Sequence, residues 1–142
     1  MEFIPGISLG NVTFTMSVQD VEGVMGPDGV IETSESGDVQ LSYYDGALSF
    51  VFYKEDDLKL SNINVQRGVL PVEYEGKNLF DIPFDDIIDL FSEVGEETDH
   101  SFEVFDDIGE VETIEFETLG ISLYFDVEEA LLEVNLFEIV EA

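Results

Sequence analysis

The chain has 142 residues, with 34 acidic side chains against four basic ones, for a formal charge of −30 at pH 7. A disordered acidic tail is excluded, because 44% of the residues are hydrophobic and 12 are Phe, enough to build a packed core. The sign of the field works against direct contact with nucleic acid or an anionic membrane, and it attracts basic surfaces and speeds their encounter.

The first strong pattern in chain order is Val12, Phe14 and Met16 alternating with Thr13 and Thr15, which predicts a half-buried strand. Ser17 is placed as a helix N-cap, Val18, Val21, Val24 and Met25 follow at helical spacing, and Gly26-Pro27 stops the helix. Strands are predicted over Val39–Tyr44, Leu48–Tyr53 and Leu60–Val65. Further on, Pro83 suits a first helical turn, with Phe84, Ile87, Ile88 and Phe91 on one face of a second helix. Strands are then expected at Phe102–Phe105, Thr113–Leu119, Ile121–Phe125 and Leu132–Phe137. Short turns between them predict antiparallel hairpins.

These elements suggest a duplication. An offset of 66 residues matches Gly10 with Gly76, Phe14 with Phe80, Val18 with Phe84, Asp20 with Asp86 and Met25 with Phe91. An offset of 73 matches Leu48–Phe52 with Ile121–Phe125, Leu58 with Leu131, Asn62 with Asn135 and Ile63 with Leu136. The seven extra residues are expected in the second helix-to-strand connection, from Glu93 onward. The fold class expected is α+β: two similar strand–helix–three-strand units, residues 1–68 and 69–142, with mainly antiparallel sheet and helices on one face, packed as one compact domain. The second half is the more acidic: residues 67–142 hold 23 acids against Arg67 and Lys77, where residues 1–66 hold 11 acids and two lysines.

The segment Gly10-x-x-x-Phe14-x-Met16-Ser17-x-x-x-Val21-x-x-x-Met25-Gly26-Pro27 resembles the opening of the BamE/SmpA-type α/β repeat, which also begins many bacterial immunity proteins. A tandem pair of such units resembles the β-lactamase-inhibitory-protein architecture, which binds its target with a concave sheet. The resemblance implies a protein-binding fold of the contact-dependent-inhibition immunity type. Envelope lipoproteins with this repeat carry a lipobox Cys; this chain has no Cys, which argues against an envelope role and also excludes disulfides and thiolate chemistry. Its opening residues, Met1-Glu2-Phe3-Ile4-Pro5-Gly6, show no basic stretch and no long apolar run, so neither a signal peptide nor a membrane span is expected, and the cytoplasm is the expected location.

The inventory for catalysis is thin. His100 is the single His and Arg67 the single Arg, and no phosphate-binding Gly-rich motif occurs. Carboxylate pairs such as Asp56-Asp57, Asp85-Asp86 and Asp106-Asp107 are what composition alone supplies, and solvated acids collecting counterions account for them. No enzyme activity, metal or cofactor is therefore expected.

Binding is the better expectation. If Ile114, Phe116, Ile121, Leu123, Phe125, Leu132, Val134 and Leu136 face the core, then Glu115, Glu117, Tyr124, Asp126, Glu133, Asn135 and Phe137 face outward. Aromatics among carboxylates supply contact area while the charges orient a basic partner. Asp85, Asp86 and Asp89 on the second helix would extend the field. The expected function is inhibition of a basic toxin, such as a nuclease, by a monomer in a 1:1 complex. The alternatives are a DNA mimic that occupies a DNA-binding protein and a general adaptation to high salt.

Overall fold

Ser17 opens the first helix as its spacing predicts. In the computed structural model, which describes residues 1–95, 97, 99–105 and 109–138 (of Phe105 the backbone only), the Ser17 hydroxyl accepts the Asp20 amide and the Asp20 carboxylate accepts the Ser17 amide, each at 3.2 Å. Helix α1 (Val18–Met25) ends at Gly26, whose φ of 107° only Gly adopts freely and whose amide donates to the Glu22 carbonyl. Ahead of it, β1 (Phe3–Ile4), β2 (Ser8–Leu9) and β3 (Val12–Thr13) make a small antiparallel sheet. The strand expected through Met16 is thus only two residues long, although Val12 and Phe14 are buried as their alternation requires.

Four strands follow: β4 (Val30–Thr33), β5 (Val39–Tyr43), β6 (Leu48–Tyr53) and β7 (Lys59–Gln66). A two-stranded ribbon, β8 (Glu73–Tyr74) and β9 (Lys77–Asn78), leads through a 3₁₀ turn at Leu79–Asp81 to helix α2 (Phe84–Ser92). The last four strands are β10 (Asp99–Phe105), β11 (Gly109–Phe116), β12 (Ile121–Phe125) and β13 (Leu131–Phe137). Pro83 is the N-cap of α2, not a residue of its first turn, and it lacks the amide that Asp86 would need to close a second capping box. The segment matched to the first strand, Phe80–Ile82, is largely 3₁₀ turn. The Asp106-Asp107 pair lies outside the described residues. No helix among those described is long and apolar enough to cross a membrane.

The class is α+β with a mostly antiparallel sheet. One eight-stranded sheet runs β10-β11-β12-β13-β7-β6-β5-β4, every neighbour antiparallel. Its inner face carries a cross-strand row of Leu41, Phe50, Ile63, Leu136, Ile121 and Phe116, each at most 1% exposed. Phe84 of α2 sets its ring edge-on against Phe125 at 4.7 Å, and Phe91 lies 5.7 Å from Phe116. At the end of α1, the Gly26 carbonyl accepts the Tyr43 hydroxyl at 2.8 Å. Tyr74 bridges Phe91 to Phe3, so the small sheets join the same core.

The hairpins β6–β7 and β12–β13 pair in the same way. Leu48, Ser49, Phe50 and Val51 oppose Val65, Asn64, Ile63 and Asn62; Ile121, Ser122, Leu123 and Tyr124 oppose Leu136, Asn135, Val134 and Glu133. Each ladder then slips by one residue, so that Phe52 meets Leu60 and Phe125 meets Leu131. Leu132 is the skipped residue of the second bulge. Against the expectation it is only half-buried, while Leu131 takes the core position at 2% exposure. The registers also move the sequence matches by two: Leu60, not Leu58, stands as Leu131 does; Asn64, not Asn62, as Asn135; and Val65, not Ile63, as Leu136. The stretch from the start of α2 to β10 is three residues longer than that from the start of α1 to β4, and the β10–β11 hairpin is four residues longer than β4–β5, so, against the expectation, the added length is not confined to the helix-to-strand connection.

Candidate protein-binding face

Alternation along β11, β12 and β13 aims Glu115, Tyr124 and Glu133 away from the helix-contacting face. Tyr124 lies between Thr113 and Glu133, and Gln66 of β7 stands beyond Glu133. All three predicted residues are half-buried. Burial raises the Tyr124 pKa, and the charges of Glu133, Glu115 and Glu103 raise it further. Burial also raises Glu133, against a hydrogen bond from Gln66 that lowers it. Glu115 is raised by burial, then by Glu117 and Asp99. These carboxylates hold their negative charge reluctantly, and an incoming cation would relieve them. No Lys or Arg occurs in the chain beyond Lys77, and the Arg67 guanidinium is turned to the Leu131 carbonyl at 3.0 Å.

The remaining predicted residues divide. Phe137 is half-buried on the same outward face, opposite Asn62, and a row of Ser49, Asn64, Asn135 and Ser122 separates it from Tyr124. Asn135 donates to the Asn64 side-chain oxygen across the β13–β7 seam. Glu117 is exposed in the 3₁₀ turn after β11, at the margin of the face. Asp126 is not a face residue. Its carboxylate accepts the amides of Glu128 and Ala130 at 2.8 and 3.0 Å and shapes the turn into β13.

Asp85, Asp86 and Asp89 lie on the other side of the sheet. α2 covers Phe125 and Phe116, whose side chains point opposite to those of Tyr124 and Glu115, so the helix acids cannot join one continuous surface with them. Asp86 and Asp89 instead line an open depression of about 430 Å³ with Lys77, Asp81 and Glu93. Sequence reasoning missed two residues that face outward from β10: Asp99, because the predicted strand began only at Phe102, and Glu103, because the faces of that short strand were not assigned. The alternation Asp99-Ser101-Glu103 was there to see, but Asp and Ser are poor strand formers.

His100 lies on β10 with Nδ1 3.0 Å from the Glu97 carboxylate and Nε2 on Glu112, its ring stacked on Phe102. Among the described residues no group of three or more His, Asp or Glu is disposed to hold a metal ion. No protein-family model, curated protein or solved structure matches the chain.

Proposed function

We propose that this chain is an immunity protein that binds and neutralises a basic toxin, such as a nuclease domain, through the outward face of β10–β13. The observation that carries this reading is the half-buried Tyr124 set among Glu103, Glu115 and Glu133, where burial raises the proton affinity of Glu115 and Glu133 and the charges of Glu117 and Asp99 raise that of Glu115 further. A partner Arg or Lys placed there would lower those pKa values and gain desolvated ion pairs around an aromatic anchor. A nuclease presents such cations because it must approach phosphates. A preformed acidic sheet would meet it fast, which an inhibitor made alongside its toxin requires. The protein would act without catalysis, as a cytoplasmic monomer in a 1:1 complex, touching neither nucleic acid nor membrane directly. Asp85, Asp86 and Asp89 would steer approach from the far side without entering the contact.

The same proposal includes the architecture. Two related units, each a helix followed by four strands, would share one sheet with both helices on its inner face. The matched registers and bulges support this, as do the Phe84–Phe125, Phe91–Phe116 and Tyr43–Gly26 contacts. A pseudo-twofold axis would then pass between Asn64 and Asn135, which oppose each other at the seam.

The test is affinity capture from the source organism, with the wild-type chain and with Glu115→Lys/Glu133→Lys, at low and moderate salt. One basic partner of toxin type, held at moderate salt by the wild type and lost by the variant, supports the reading. Several DNA-binding proteins, all released as salt rises, would replace it with DNA mimicry. A partner bound equally by both forms would move the site off this face.

A further inference from the structure

β10 ends the large sheet. Its seven residues pair with β11 with no break in register, and at ~3.3 Å per residue this edge runs for about 23 Å. Sheets usually blunt such edges with charged side chains, above all Lys, or with Pro, a bulge or brevity. The opposite edge, β4, is short, with four residues. β10 has no Lys, no Pro and no bulge. Asp99, Ser101 and Glu103 stand on the outward face, and His100, Phe102 and Val104 on the inner one, opposite Ile114, Glu112 and Glu110. On the inner side Phe102 is 59% and Val104 77% exposed.

We propose that β10 is a docking edge for an extended segment of a partner protein in which basic and apolar residues alternate, added to the sheet as a further strand. The backbone ladder would provide affinity and the two faces specificity. Lys or Arg at every second position would meet Asp99 and Glu103, and apolar residues between them would cover Phe102 and Val104. Charge complementarity selects this occupant. A second copy would bring the same carboxylates and its own charge of −30 to the edge. This surface is the rim of the sheet, so the proposal needs no toxin and stands whether or not the outward face binds one.

The experiment is amide hydrogen exchange and NMR titration of the full chain with two end-blocked heptapeptides of one composition. In one, Lys and Val alternate; in the other, they are grouped in blocks. The expected result is at least tenfold tighter binding of the alternating peptide, with new amide protection confined to β10. Val104→Lys should weaken binding at least tenfold. Val127→Lys, at a turn residue of similar exposure (68%), should leave it unchanged. Glu103→Lys serves as the second variant if Val104→Lys fails to fold by circular dichroism, and it too should weaken binding. Equal affinity for both peptides, protection centred elsewhere, or no binding at millimolar peptide would overturn the proposal. Concentration-dependent protection of β10 without peptide would assign the edge to a second copy and overturn it as well.

Discussion

The hairpins β6–β7 and β12–β13 have the same pairing and the same bulge, and differ mainly on one side. Their inward residues are all apolar and nearly inaccessible: Leu48, Phe50, Phe52, Leu60, Ile63 and Val65 in one, Ile121, Leu123, Phe125, Leu131, Val134 and Leu136 in the other. Outward, Ser49–Asn64 is repeated as Ser122–Asn135, but Val51–Asn62 gives way to Tyr124–Glu133. In the next strand Ser42 opposes Ser49, whereas Glu115 opposes Ser122. The inner face is bound by packing, where a methylene is felt, while the outer face is free to change charge at little cost to the fold.

The largest expected effect probes the shared side. Phe52→Ala and Phe125→Ala each remove a ring from equivalent, fully buried positions and should each cost about 3–5 kcal/mol in urea unfolding. A large loss at one and a small loss at the other would break the equivalence of the hairpins.

Changing Tyr124 to Val and Glu133 to Asn gives the second hairpin the outward pair of the first. At neutral pH this should stabilise the chain by up to about 1 kcal/mol, allowing for screening at a half-exposed site, and should slow association with a basic partner. The pH dependence sharpens the same contrast. Glu115 and Glu133 have raised pKa values in the folded chain, so folded protein binds more protons than unfolded protein over the interval between the unfolded and folded values. Their contribution to stability therefore falls as pH rises from about 4.3, the unfolded Glu value, through the raised folded values. Melting temperatures from pH 4 to 7 should show this slope, and Glu115→Gln/Glu133→Gln should flatten it.

The helices offer the smallest contrast. Ser17→Ala removes a capping box and should cost about 1 kcal/mol. Pro83→Ser restores an amide for Asp86, but it also frees the unfolded chain, so stability should stay within about 0.5 kcal/mol of the wild type. Thermal unfolding of the two variants decides whether α2 gains anything from its missing box.

Much of this fold was legible because local pattern and global placement agree. Leu48–Tyr53 and Ile121–Phe125 are apolar, aromatic-rich runs bounded by turn residues and are strands with those bounds, and Ser17 and Gly26 mark the ends of α1. β4 was not legible: all four of its residues are exposed at an edge, so no apolar periodicity betrays it. The bulges were invisible for a different reason, since a skipped residue such as Leu132 depends on its partner strand and not on its neighbours in sequence. For the site, the outward positions of Glu115, Tyr124 and Glu133 followed from alternation. The separation of Asp85, Asp86 and Asp89 from them did not, because it depends on which face α2 covers. Asp126 was misplaced because the strand pattern was carried one residue into a turn, where an Asp finds backbone amides to accept.

The seam between β7 and β13 has a kinetic consequence. Every other pairing in the large sheet joins strands adjacent along the chain, but the Asn64–Asn135 contact spans 71 residues. The local hairpins can form at small loop-closure cost, and the seam must wait until both are in place. The slow step of folding should therefore be the meeting of two preformed four-stranded ribbons along a single line. A substitution at that line would slow folding, while one at β4 or β10 would mainly hasten unfolding.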